Sequence, residues 1–188
     1  NYHTAVLKRL LLYPQKAGKL SVNSGKYDVT IVQYESVNMG FFRTSRPVER
    51  TLTTSSNAAS LTVEALPEPR PAAFNGAVGK FTASARLEPE LLKTNEAATY
   101  TYTVTGTGNI KFLNSPSIEF PAGVDVYTPK NEIDARVAGA NMTGSCSTVF
   151  TIVPQEQGAF TIDGVPFVYF DPEKHKYETV DIPAIPFK

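Results

Sequence analysis

The sequence predicts an all-β fold, and three observations carry that expectation. Segments that alternate apolar with polar residues, rich in Thr, Val, Tyr and Phe, recur along the chain. No sustained helical period appears anywhere, and prolines and glycines punctuate the segments at short intervals. With 188 residues there is room for one or two domains. Hydrophobic residues at 41% and charged residues at 19% supply a packed core and exclude a disordered chain.

An internal repeat organises the rest. Leu12-Tyr13-Pro14-Gln15-Lys16-Ala17-Gly18-Lys19-Leu20-Ser21-Val22 aligns with Ile152-Val153-Pro154-Gln155-Glu156-Gln157-Gly158-Ala159-Phe160-Thr161-Ile162, 140 residues later. Proline lacks an amide for a ladder, glycine supplies a turn, and apolar positions two apart face one core, so the pattern reads strand, turn, strand. Two copies of one module explain it.

Taken in order, Val6–Leu12 is ambiguous between a short amphipathic helix and a strand. Its counterpart, Cys146–Val153, is Ser, Thr, Val and Phe throughout, which makes both segments strands. Tyr27–Tyr34 and Ala59–Ala65 read as strands, and the polar stretch Thr51–Asn57 as a loop. Leu66-Pro67-Glu68-Pro69-Arg70-Pro71 favours an extended polyproline conformation and marks the domain boundary. Beyond it the strand candidates are Lys80–Leu87, Ala98–Gly106, Ile110–Leu113, Ser145–Val153, Phe160–Ile162, Phe167–Phe170 and Tyr177–Ile182. Tyr100, Tyr102 and Val104 alternate with threonines, and Cys146, Phe150 and Ile152 share a face.

This set is close to an immunoglobulin-like β-sandwich, while the missing tryptophan and disulfide argue against an antibody-type domain and for a looser relative of that fold. The expected architecture is therefore tandem immunoglobulin-like modules. Residues 1–66 form the C-terminal part of a first, N-terminally truncated module, 67–71 a Pro-rich linker, and 72–188 a complete second module. The strands of the first module must then pack on the second module or pair with another chain.

The composition also narrows function. Lys plus Arg number 18, as do Asp plus Glu, so no net field gathers phosphates, and nucleic acid is an unsuitable partner. Cys146 is the single cysteine, which excludes an internal disulfide and reads as a small buried hydrophobe. No apolar run reaches the length of a membrane span, so any anchor or export signal lies outside these residues.

Gly76-Ala77-Val78-Gly79 and Gly106-Thr107-Gly108-Asn109 lack the spacing of phosphate loops, and the latter reads as a tight β-turn. His3 and His175 fall in different modules, against a metal site or a triad. Asp163, Asp171 and Glu173 are acidic loop residues without calcium-loop spacing. No cofactor, metal or catalytic residue is assigned, and no enzyme is expected. The candidate protein contact is Phe41, Phe42 and Arg43, aromatic and guanidinium side chains beside Gly40 on a loop or edge strand, although burial of the pair in the first module is the favoured reading.

Several segments together resemble the BatD family, the Bacteroides aerotolerance or oxygen-tolerance proteins. They are Phe74-Asn75-Gly76-Ala77-Val78-Gly79-Lys80-Phe81, Gly106-Thr107-Gly108-Asn109-Ile110-Lys111 with Pro116, Val126-Tyr127-Thr128-Pro129, and Pro166-Phe167-Val168-Tyr169-Phe170-Asp171-Pro172 with Tyr177. The resemblance implies a membrane-anchored envelope protein with its β modules in the periplasm, at the inner membrane. It also implies a scaffold role beside von Willebrand A-type membrane proteins of the same operon, and it brings no catalytic motif. The rival expectation is a carbohydrate-binding β-sandwich, which needs exposed rings such as Tyr100 and Tyr102 would have to provide.

Overall fold

The computed structural model describes residues 6, 8–89 and 91–188. Thirteen strands are present among these residues: β1 (Gly18–Val22), β2 (Lys26–Met39), β3 (Phe42–Ser55), β4 (Ala59–Val63), β5 (Phe74–Glu88), β6 (Ala98–Gly108), β7 (Val124–Val126), β8 (Lys130–Ala138), β9 (Asn141–Pro154), β10 (Phe160–Ile162), β11 (Phe167–Asp171), β12 (Lys176–Val180) and β13 (Ile185–Phe187). The fold class is all-β, with sheets compatible with a β-sandwich. Contacts divide the chain into two compact units: Pro14–Ala65, and Leu66–Lys188 together with the described residues up to Tyr13.

The larger unit is built on a seven-stranded sheet in the order β12-β11-β5-β6-β9-β7, with β8 also paired to β9. β5 changes neighbour along its length. Its start runs parallel to β11, with Phe74 and Val78 opposite Val168 and Phe170, and its remainder runs antiparallel to β6 from Gly79↔Gly108 to Glu88↔Thr99.

Period-two alternation sends Ala98, Tyr100, Tyr102 and Val104 of β6 and Cys146, Phe150 and Ile152 of β9 into one core. Ile162 and Phe187, from the separate β10–β13 ladder, join the same core with Ile182. Burying a side chain the size of Ile152 contributes about 1.5–3 kcal/mol, and rows of such residues hold these strands in register.

The smaller unit contains two antiparallel ladders, β1–β4 and β2–β3. Between them the Ser56 amide donates to the Gly25 carbonyl at 2.9 Å, and the Gly25 amide donates to Ser56 Oγ at 2.9 Å. The ladders thus succeed one another as one long hairpin.

Several sequence expectations need correction. Val6–Leu12 is not a strand among its described residues. The phenol of Tyr13, next along, donates to the Gly108 carbonyl at 2.8 Å and its ring packs edge-on against Phe112, so side-chain contacts rather than a ladder hold this stretch. Thr51–Asn57 is not a loop: Thr51 to Ser55 complete β3, because β-branched threonines suit a pleated ladder. Thr53 Oγ1 donates to Asp28 Oδ1 at 2.6 Å across the pair.

Ile110–Leu113 is a 3₁₀ turn over Ile110–Phe112 rather than a strand, with Ile110 fully buried. Gly106–Asn109 is no tight turn either. Gly106 and Gly108 lie inside β6, where a Cβ would collide with the Lys80 and Val78 carbonyl oxygens of β5 and with the Phe81 ring. Close backbone approach selects glycine at both positions, and at Gly108 a φ of +152° does so as well. Strands β7, β8 and β13 were not expected.

Gly106→Ala is expected to destabilise the larger unit by about 2 kcal/mol or more, because the obstructing atom is backbone and cannot step aside. Urea unfolding followed by circular dichroism checks this, with Ser84→Ala, an exposed position on β5, expected within about 0.5 kcal/mol of the parent.

Candidate interaction site

β2 and β3 pair without interruption from Lys26↔Ser55 to Met39↔Phe42. That leaves Gly40 and Phe41 as a two-residue connection. Gly40 holds φ at +67° while Phe41 does not adopt positive φ, the pattern of a type II′ turn, whose twist matches that of the strands it joins. Phe41 is fully exposed and Phe42 is 80% exposed. The favoured sequence reading of this aromatic pair, burial, is corrected: both rings stand exposed at the hairpin tip, because the two-residue turn places Phe41 beyond the last ladder pair and Phe42 at it.

Arg43 Nε donates to Asn38 Oδ1 at 3.3 Å across the ladder, which holds its guanidinium beside the aromatic pair. Between Glu35 and Glu49 the only charges are Arg43 and Arg46. The tip is therefore apolar and cationic. Arg50 pairs with Glu35 at 3.3 Å where this zone begins.

The groups weighed for chemistry are engaged in structure. Asp171 is buried at the end of β11, and its Oδ1 accepts the amides of Glu173 at 2.8 Å and Lys174 at 3.2 Å. Burial pushes its carboxyl up, but these two amides, with the Lys80 and Lys174 ammonium groups nearby, leave it below the ordinary carboxylate range. Glu173 pairs with Lys80 at 2.5 Å, and His175 occupies the turn with φ at +52°. The three acids considered for calcium do not converge: among the described residues no group of three or more His, Cys, Asp or Glu could hold a metal ion.

Cys146 lies buried, which pushes its thiol up and away from reactivity. Tyr100 and Tyr102 belong to the core. Burial, with Tyr100 beside it, pushes the Tyr102 phenol up to about 12, and its hydroxyl donates to the Val165 carbonyl at 3.2 Å. Neither ring offers a face for stacking a sugar.

The geometry thus defines an all-β protein whose distinctive exposed chemistry is an aromatic and cationic hairpin tip. A family model described as the BatD DUF11 like domain matches residues 85–184, more than half of the chain, and the chain belongs to the BatD family. The match runs from the second half of β5 to the approach to β13 and covers most of the larger unit. It makes the chain part of an aerotolerance-associated envelope protein, in a family not known as enzymatic. No curated protein and no solved structure matches the chain. No helix among the described residues is long and apolar enough to cross a membrane.

The depressed Asp171 carboxyl makes a pH prediction. A group whose folded pKa lies below its unfolded value contributes stability above the unfolded pKa, about 3.9 for Asp, and loses it as pH falls through the lower folded value. The melting temperature of the parent should therefore exceed that of Asp171→Asn at neutral pH, and the gap should narrow as pH is lowered from about 5 toward 2. A gap constant with pH would remove the carboxylate from this role.

Proposed function

We propose that the chain is a non-catalytic scaffold on the periplasmic face of the inner membrane, which holds protein partners in a complex linked to oxygen tolerance. The partners are von Willebrand A-type membrane proteins encoded with it. The observation that carries this reading is the aromatic pair Phe41 and Phe42 with Arg43 at the end of a long hairpin. Phenylalanine left in water forgoes the burial that stabilises it, and aromatic and Arg side chains are favoured where protein partners bind. Hairpin tips tolerate such residues because the backbone behind them is already paired.

The test is affinity capture with the 188-residue chain as bait against detergent-solubilised envelope from the source cell. A von Willebrand A-type membrane protein should be retained, and Phe41→Ser with Phe42→Ser should reduce its recovery at least tenfold while leaving the circular dichroism spectrum unchanged. Equal recovery by the double variant would move the contact elsewhere. Retention of polysaccharide without protein would replace the scaffold reading with a glycan-binding one.

A further inference from the structure

The sheet of the larger unit ends differently on its two sides. On one side β12 is five residues long, and Pro183 follows soon after it. On the other, β7 and β8 succeed one another along β9. β8 runs nine residues, Lys130–Ala138, without Pro, Gly or a bulge, and pairs with β9 at every position. No strand among the described residues lies on its outer edge, and each of its residues except Ala135 is exposed.

Prolines, bulges and inward-pointing charges are the usual means of keeping an open edge from pairing. β8 uses none of them. Asn131, Ile133, Ala135 and Val137 stand on the core side, with Ile133 opposite Cys146 and Val137 opposite Met142, while Lys130, Glu132, Asp134 and Arg136 occupy the other face. Cys146 and Met142 are buried, yet Ile133 and Val137 remain 47% and 57% exposed. Apolar rows of the core therefore reach the edge and stop there uncovered. The strand itself is held closely: a Cβ at Gly144 would collide with the Asp134 carbonyl oxygen and the Ala135 Cα.

Ile133-Asp134-Ala135-Arg136-Val137 is self-complementary about Ala135, with an apolar residue at each end and charges of opposite sign inside them. An antiparallel second copy centred on Ala135 sets Asp134 against Arg136 and Ile133 against Val137, each twice by the two-fold axis. Both charges are available for this. Lys130 pairs with Glu132 at 2.8 Å, whereas Asp134 and Arg136 form no ion pair among the described residues. The register is also selected against its neighbours. A slip of one residue sends the apolar row to the wrong face, and a slip of two sets Asp134 against Asp134 or Arg136 against Arg136.

We propose that two copies of this chain associate edge to edge through β8, antiparallel about Ala135, so that their sheets become one. Ladder hydrogen bonds then engage backbone groups that β8 otherwise leaves to water, and Val137 of one copy meets Ile133 of the second, carrying one core row into the other. The shared length, Glu132–Ala138, is roughly 20 Å at the rise of a strand. An interface this narrow belongs to the small class, in which association is weak and transient. It stands apart from the scaffold reading, because β8 belongs to the larger unit and Phe41 and Phe42 to the smaller.

The test is sedimentation equilibrium of the 188-residue chain between about 10 µM and about 1 mM, a range that captures weak association. The chain should pass from monomer toward dimer as its concentration rises. Asp134→Arg and Arg136→Asp, both at exposed positions, each bring like charges together twice, and each should weaken the association about tenfold or more with an unchanged circular dichroism spectrum. Mixed in equal amounts, the two variants should recover it, because every Arg of one then faces an Asp of the other. A parent that stays monomeric throughout would overturn the inference, as would dimers that survive both charge reversals or a mixture that fails to associate. Phe41→Ser with Phe42→Ser should leave the dimer intact; its loss there would place the contact at the hairpin tip instead, so failure here and failure of the scaffold reading are separable.

Discussion

The larger unit depends on β5 serving two neighbours, and that depends on how closely the backbones of β5 and β6 approach. Gly79 and Gly106 leave no room for a Cβ where β5 meets β6, and the ring of Phe81 lies over the bare backbone at Gly79, Gly106 and Gly108. An aromatic ring covering cross-strand glycine restores the burial their missing side chains forgo. Phe167 and Tyr169 of β11 meet that ring edge-on, with centroids 5.9 and 5.6 Å away. One ring therefore joins the antiparallel part of the sheet to its parallel part. The Asn109 side chain fixes the switch in direction: it accepts the Val78 amide and donates to the Gly76 carbonyl, both at 2.8 Å.

From that junction the remaining geometry follows outward. A fixed β11 fixes β12 through five antiparallel pairs, and the turn between them closes on the Asp171 carboxylate. Tyr177 of β12 packs edge-on against both Phe74 and Phe170, while its hydroxyl donates to the Pro67 carbonyl at 2.9 Å. The Pro-rich segment is thereby attached to the sheet it precedes. Polar groups in this chain of contacts are engaged in structure: Asp171 accepts the Glu173 amide and Glu173 pairs with Lys80.

Legibility in the sequence followed the strength of alternation. β6 and β9 were readable because Tyr100, Tyr102, Val104, Phe150 and Ile152 fall at every second position, and the inward face they imply is the buried one. β8 was not readable, because its Lys130, Glu132, Asp134 and Arg136 are exposed edge residues whose pairing is set by β9 rather than by their own propensity. Gly106 and Gly108 were mistaken for a turn because a single sequence does not distinguish glycine of a turn from glycine held between close strands, a contact that Gly108 combines with a φ of +152°. The aromatic pair Phe41 and Phe42 stood out in the sequence, but burial was the favoured reading, because two adjacent Phe residues look like core until the turn at Gly40 is known. The length of the hairpin beneath it was hidden in the threonines of β3, which resemble loop residues until Asp28 and Thr30 stand opposite them.

The two repeats put one strand plan to different uses, and the contrast bears on function more than either copy does alone. After Pro154 the hairpin is short and its turn, Asp171 to Lys176, satisfies itself: the carboxylate holds two amides, Glu173 pairs with Lys80, and Lys174 pairs with Glu178 at 2.8 Å. After Pro14 the hairpin is long and ends in Gly40-Phe41-Phe42-Arg43, where the rings stand exposed and the nearest acids in the sequence are Glu35 and Glu49. A module that needed only to close its core would do so with the short polar turn. Nine extra pairs of ladder, 14 against five, and two rings in water add nothing to that closure. On the scaffold reading proposed above, they present apolar and cationic chemistry beyond the base of the hairpin.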